Sequence, residues 1–102
     1  MKLEFYPEDK LKRELLTIMK RHIDLKRYKV FFFGSRIIGK SHNRSDIDVG
    51  IEGHKRISPE SWFNILDEVE NVPTLYKIDL VDFSQVSDNF RKIAKQHIEM
   101  LS

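Results

Sequence analysis

The chain has 102 residues, 40% hydrophobic and 33% charged, a length for one core without a second lobe and a composition that excludes disordered or collagen-like chains. Eighteen Lys and Arg against sixteen Asp and Glu leave a net charge of only +2, too balanced for nonspecific nucleic-acid binding to be the main task. There is no cysteine, no apolar run of membrane-spanning length and no apolar stretch typical of a signal peptide, so neither a disulfide framework nor a thiolate zinc site is expected, and the protein is expected in the cytoplasm.

Leu11, Leu15, Ile18, Met19, His22 and Ile23 recur at helical spacing and predict an amphipathic helix over 8–24. The basic residues Lys10, Lys12, Arg13, Lys20, Arg21, Lys26, Arg27 and Lys29 crowd the first thirty positions and read as its solvated face rather than a phosphate-backbone patch. Tyr28 to Phe33 reads as a strand that Gly34 ends; its three consecutive phenylalanines point to alternate faces, so it should be central and covered on both sides. A short helix or turn follows. Asp46 to Glu52 then alternates, with Ile47, Val49 and Ile51 on a dry face and Asp46, Asp48, Gly50 and Glu52 on a polar one.

Ser58-Pro59 predicts a helix start, with a capping hydroxyl and a proline at the first helical position. Trp62, Ile65, Leu66 and Val69 continue it to an end near Asn71-Val72-Pro73, and Leu75 to Phe83 predicts a third strand. Val86, Phe90, Ile93, His97 and Leu101 mark a closing helix. With Ile98 and Met100, that helix has more apolar residues than one stripe needs, which leaves core packing and an interface with a helical partner or second copy both open. Trp62 and Phe63 are read as core, and His22 and His97 as core-edge residues. The element order gives an α/β (α+β) fold, a small sheet with helices mainly on one face, over a single domain at 1–102. Strand directions stay open, because the loop lengths permit both.

The chemistry sits in "VFFFGSRIIGKSHNRSDIDVGIE", residues 30–52. On a strand Asp46 and Asp48 point the same way, with α-carbons roughly 6.6 Å apart. Two charges at that distance repel by roughly 2 to 3 kcal/mol at an effective dielectric near 20, and a divalent cation reverses the sign. Oxygen ligands without histidine or cysteine suit Mg²⁺ or Mn²⁺. In "KIDLVDF", Asp79 and Val81 share one face, and Ile78, Leu80 and Asp82 the other. If Ile78 and Leu80 join the core beside Ile47 and Val49, Asp79 emerges beside the pair and Asp82 points away. Three such carboxylates can hold two metal ions that clamp the oxygens of phosphoryl or nucleotidyl transfer. Gly34 permits close approach of a bulky anion, Ser35 adds a hydroxyl donor, and a helix starting there would aim N–H groups at a phosphate, with Arg36 and Lys40 on one face.

Gly-Ser, a ten-residue gap from Arg36 to Ser45 and then Asp-x-Asp resembles the signature of the polymerase-β-like nucleotidyltransferases, and the small domain resembles their minimal, MntA-type members. Arg36 and Gly39 match the "GSRxxG" extension and "IDLVD" the strand of the third carboxylate, so the likeness covers residues 29–83. The resemblance implies a nucleotidyltransferase fold with the metal site on the sheet face away from most helices. It further implies transfer of AMP from ATP to an acceptor, with Asp46 and Asp48 holding two Mg²⁺ ions (Mn²⁺ possible). Asp79 would hold the catalytic one and help deprotonate the acceptor, while Gly34, Ser35, Arg36 and Ser45 bind the phosphates. Its members commonly pair with a HEPN-domain protein, as antitoxin to an RNase toxin. A catalytically idle nucleotide-binding module that neutralises its partner by docking is the alternative, because retained residues do not prove turnover. One departure from the family pattern is Gly50, which is expected to leave the polar face open and weaken the strand.

Overall fold

The computed structural model describes residues 1, 3–39 and 46–101. Among them, α1 (Glu8–His22), β1 (Tyr28–Phe33), β2 (Ile47–Gly53), α2 (Pro59–Glu70), β3 (Ile78–Asp82), α3 (Asp88–Ala94) and β4 (Glu99–Met100) follow in chain order. The strands form one mixed sheet in the order β3-β2-β1-β4. β1 runs antiparallel to both β2 and β4, whereas β2 and β3 are parallel, joined through α2. β1 is therefore central, as the triple phenylalanine requires.

Side-chain alternation sorts the core into two layers. Val30 and Phe32 of β1 with Ile47, Val49 and Ile51 of β2 face α1 and α2, where Leu11, Leu15, Met19, Ile65 and Val69 cover them. Phe31 and Phe33 face the other way and meet Phe83 edge-on, with centroids 5.0 and 5.1 Å apart. Two helices thus lie on one face. α3 lies on the other, where Phe90 packs on Phe33 and Phe83 and Arg91 donates to the Phe83 carbonyl at 2.8 Å.

Local signals account for the helix ends. α1 carries Glu8 and Asp9 in its first turn and Lys20, Arg21 and His22 in its last, the arrangement that opposes the helix dipole. α2 begins as expected, with the Ser58 hydroxyl accepting from the Ser61 N–H at 3.2 Å and Pro59 at the first helical position. The side chain of His22 is paired with Glu68, which ties α1 to α2. No helix among the described residues is long and apolar enough to cross a membrane.

Several expectations need correction. The closing helix stops at Ala94, and the chain turns back so that β4 pairs with β1 and the Leu101 N–H donates to the Val30 carbonyl at 3.0 Å. A central strand with an unpaired edge outcompetes helix periodicity in that segment. His97 consequently lies exposed beyond the helix rather than at the core edge. The third strand begins at Ile78 rather than Leu75, because β2 offers its first ladder partner at Ile47, and Leu75 is fully exposed. Phe63 is exposed on α2 and only Trp62 packs against the core. Phe90, Ile93 and Met100 remain partly exposed, while Ile98 packs against the aromatic layer.

Candidate active site

The carboxylates gather where β1 ends and β2 and β3 begin. Asp48 is the ladder partner of Phe33 on one side and Asp79 on the other. Partners across a ladder share a face, so Asp48 and Asp79 stand side by side on the aromatic face, and Asp46 precedes β2 on the same side. Ile78 and Leu80 pack into the opposite core as expected. Asp82 also points away from the pair: nearly buried, it accepts from the Ile57 N–H at 3.1 Å and from the Ser84 N–H and hydroxyl at 2.9 and 2.8 Å. Its task is to fix the loop ahead of α2.

Burial pushes the Asp48 carboxyl above the ordinary aspartate range, and the charges of Asp79 and Asp46 push it the same way. A face that raises its own carboxylate in this manner gains from a cation. Lys77 places its ammonium 3.9 Å from Asp46 Oδ2 and 3.7 Å from Asp79 Oδ1. Among the described residues no three carboxylate or histidine side chains are gathered closely enough to hold an ion as they stand. The donor set itself is three hard oxygen ligands on one face, which fits Mg²⁺ or Mn²⁺. Lys77 escaped the sequence reading. The same alternation that paired Asp79 with Val81 would have put Lys77 on their face.

Gly34 is required by two constraints at once. Its φ is +84°, and a Cβ built there would lie 2.1 Å from Asp48 Oδ2. Glycine at this position lets the turn press directly against the carboxylate. Its carbonyl accepts from the N–H groups of Ile37 and Ile38 at 3.1 and 3.3 Å, so the segment after it is a single helical turn rather than a longer helix. Gly39, with φ +76°, follows at the end of that turn. The Arg36 guanidinium lies over the Tyr76 ring, 4.7 Å from its centroid. Lys40, Arg44 and Ser45 lie outside the described residues. Gly34→Ala is expected to displace Asp48 and to cost about 1 to 2 kcal/mol of left-handed strain. Thermal melting checks the second effect. Loss of metal affinity out of proportion to the melting shift checks the first.

Two cavities frame the ends of the central strands. A cavity of about 830 Å³ lined in part by Tyr28, Glu52, His54, Phe83 and Arg91 opens at the other end of β1 and β2 and touches none of the three aspartates. A cavity of about 480 Å³ between the Gly34 turn and α3 is lined in part by Phe33, Ile38, Phe90 and Ile93.

This fold, with its Gly-Ser turn facing paired aspartates, defines a nucleotidyltransferase domain. The family described as Polymerase beta, Nucleotidyltransferase matches residues 13–102, and the chain belongs to that family. It is 27% identical over 88 residues to the Probable protein adenylyltransferase MntA of Haemophilus influenzae, spanning 84% of this chain and 77% of that protein. Among solved structures it is similar to a chain of a toxin-antitoxin complex with AMP-PNP, at TM-score 0.70 and 19% identity over 89% of this chain and 72% of the other. It is also similar to a chain of the complex between tri-AMPylated Shewanella oneidensis HEPN toxin and MNT antitoxin, at TM-score 0.68 and 15% identity over 94% and 72%. At these identities the structural likeness is one of fold.

Proposed function

We propose that this chain is an Mg²⁺-dependent adenylyltransferase that moves AMP from ATP onto a hydroxyl of a HEPN-type partner protein, and that it acts as the antitoxin of that pair. The observation that carries the reading is the in-register neighbourhood of Asp48 and Asp79, with Asp46 beside them and the Gly34 turn pressed against Asp48. Kinship with a protein adenylyltransferase and with chains of toxin-antitoxin complexes supports the choice of donor and partner.

Asp46, Asp48 and Asp79 would hold two Mg²⁺ ions, or Mn²⁺ in their place. When bound, these ions neutralise charge on the triphosphate and on the oxygens that exchange at phosphorus. The chain's own groups do the rest. The backbone at Gly34 and the Ser35 hydroxyl take the β and γ phosphates, with Arg36 and Ser45 as further contacts, which orients the α-phosphorus toward the carboxylate face. The acceptor hydroxyl gives its proton to Asp79 as its oxygen bonds to the α-phosphorus. The bond from that phosphorus to the bridging oxygen breaks, and pyrophosphate leaves.

The test uses α-labelled ATP, the purified chain and lysate of its own cells, with and without Mg²⁺. A labelled protein band is expected that requires both the metal and an intact Asp46/Asp48 pair, and its mass identifies the acceptor. Partner capture and inhibition that persist undiminished in Asp46→Asn/Asp48→Asn, without any metal-dependent band, would overturn transfer in favour of neutralisation by docking.

A further inference from the structure

Lys77 has no part in the transfer chemistry set out above, yet its ammonium lies among the carboxylates. Its main chain is fixed: the Lys77 carbonyl accepts from the Ile47 N–H at 2.9 Å, which locks the residue at the mouth of the β2–β3 pair. Its side chain is not held by packing, being 72% exposed, against 42% and 41% for Asp46 and Asp79. The ammonium nevertheless lies between the two, at 3.9 and 3.7 Å, beyond ordinary hydrogen-bond length from either. A compact charge on a flexible stem, shared by two anions, is positioned by the field they create.

We propose that Lys77 is the built-in counter-cation of the site: it bridges Asp46 and Asp79 while no metal is bound, and a divalent ion enters by displacing it. The inference rests on the metal-site reading above. Ion selectivity follows from charge. A monovalent ion brings no more than Lys77 already supplies, so only a doubly charged ion gains enough to send the ammonium back to solvent. The four-carbon stem makes that retreat inexpensive, because no packed contact is broken. Lys77 is thus a positioning residue that sets the threshold for metal entry and limits repulsion in the metal-free protein.

Mn²⁺ binding without nucleotide, followed by the paramagnetic resonance signal of the free ion, tests this on the parent chain and on Lys77→Met, Lys77→Arg and Asp48→Asn. The attraction of one ammonium to two carboxylates about 4 Å away, in a water-like dielectric and discounted for exposure, has to be given up on displacement and weakens ion binding about tenfold. Lys77→Met should therefore bind Mn²⁺ about tenfold more tightly, with Lys77→Arg within about twofold of the parent. Metal-free Lys77→Met should also melt below the parent, because its repulsion is unrelieved. Equal or weaker Mn²⁺ binding by Lys77→Met overturns the inference. If such binding still disappears in Asp48→Asn, the metal-site reading survives and only the counter-cation role fails. If neither the parent nor Lys77→Met takes up Mn²⁺, both fall.

Discussion

Asp48→Asn is expected to lower metal-dependent AMP transfer by about a thousandfold while raising the Tm of the metal-free protein. The activity loss follows from removing an ionic ligand from the middle of the carboxylate row, an effect of about 4 kcal/mol on the barrier. The gain in stability follows from the sign of the Asp48 shift. Burial, then Asp79 and Asp46, raise its carboxyl in the folded protein. Between the unfolded and folded pKa values the native state binds more protons than the unfolded one, so stability falls as pH rises through that window. Above that window the ionised Asp48 is destabilising, and asparagine removes the charge with almost no change of shape. The advantage should vanish well below the ordinary aspartate value of about 3.9, where the carboxyl is protonated in both states. Saturating Mg²⁺ should erase it too, because the ion stabilises only the parent. Transfer assays together with melting curves at acid and neutral pH check all three parts. An unchanged transfer rate would remove Asp48 from the chemistry. A lower Tm at neutral pH would show that its carboxylate is a structural partner instead.

Gly50→Ala is expected to destabilise the fold by about 2 to 3 kcal/mol, as overpacked cores do. A Cβ at position 50 would lie 2.4 and 2.7 Å from ring atoms of Phe31 and 2.7 Å from the ring of Phe83. Both rings are buried, at 1% and 0% exposure, and pack edge-on against each other, so neither can swing away. The expectation that Gly50 leaves an open polar face is therefore wrong: the glycine is the slot into which two aromatic edges fit. Chemical denaturation of Gly50→Ala, alone and combined with Phe31→Leu, measures the effect. The smaller side chain should recover a substantial part of the loss, because the two positions share one contact. A cost below about 0.5 kcal/mol would mean that the aromatic layer can yield. Position 50 lies two residues from Asp48, so the fit of these rings also steadies the strand that carries the site.

Much of the site could be read directly from residue order. The facing of Asp46, Asp48 and Asp79, and the turning away of Asp82, follow from the twofold alternation of strands once Ile47, Val49, Ile78 and Leu80 are assigned to the core. The need for glycine at position 34 was equally clear, although its reason is sharper than anion approach alone, since the turn presses on Asp48 itself. The bridging position of Lys77 and the stacking of Arg36 on Tyr76 were not visible. Each depends on a loop end settling beside a strand far away in the chain.

The sequence by itself determined the helix and strand types as far as α3, the cap at Ser58, the buried central strand and the face on which the aspartates meet. Those features follow from periodicity and local backbone chemistry, which a few consecutive residues contain in full. Only the tertiary structure decided the parallel pairing of β2 with β3, the return of residues 99–101 as an edge strand, the aromatic slot around Gly50 and the cation between Asp46 and Asp79. Each is a contact between distant segments, chosen by which ladder partners and which charges remain unsatisfied after the core has closed.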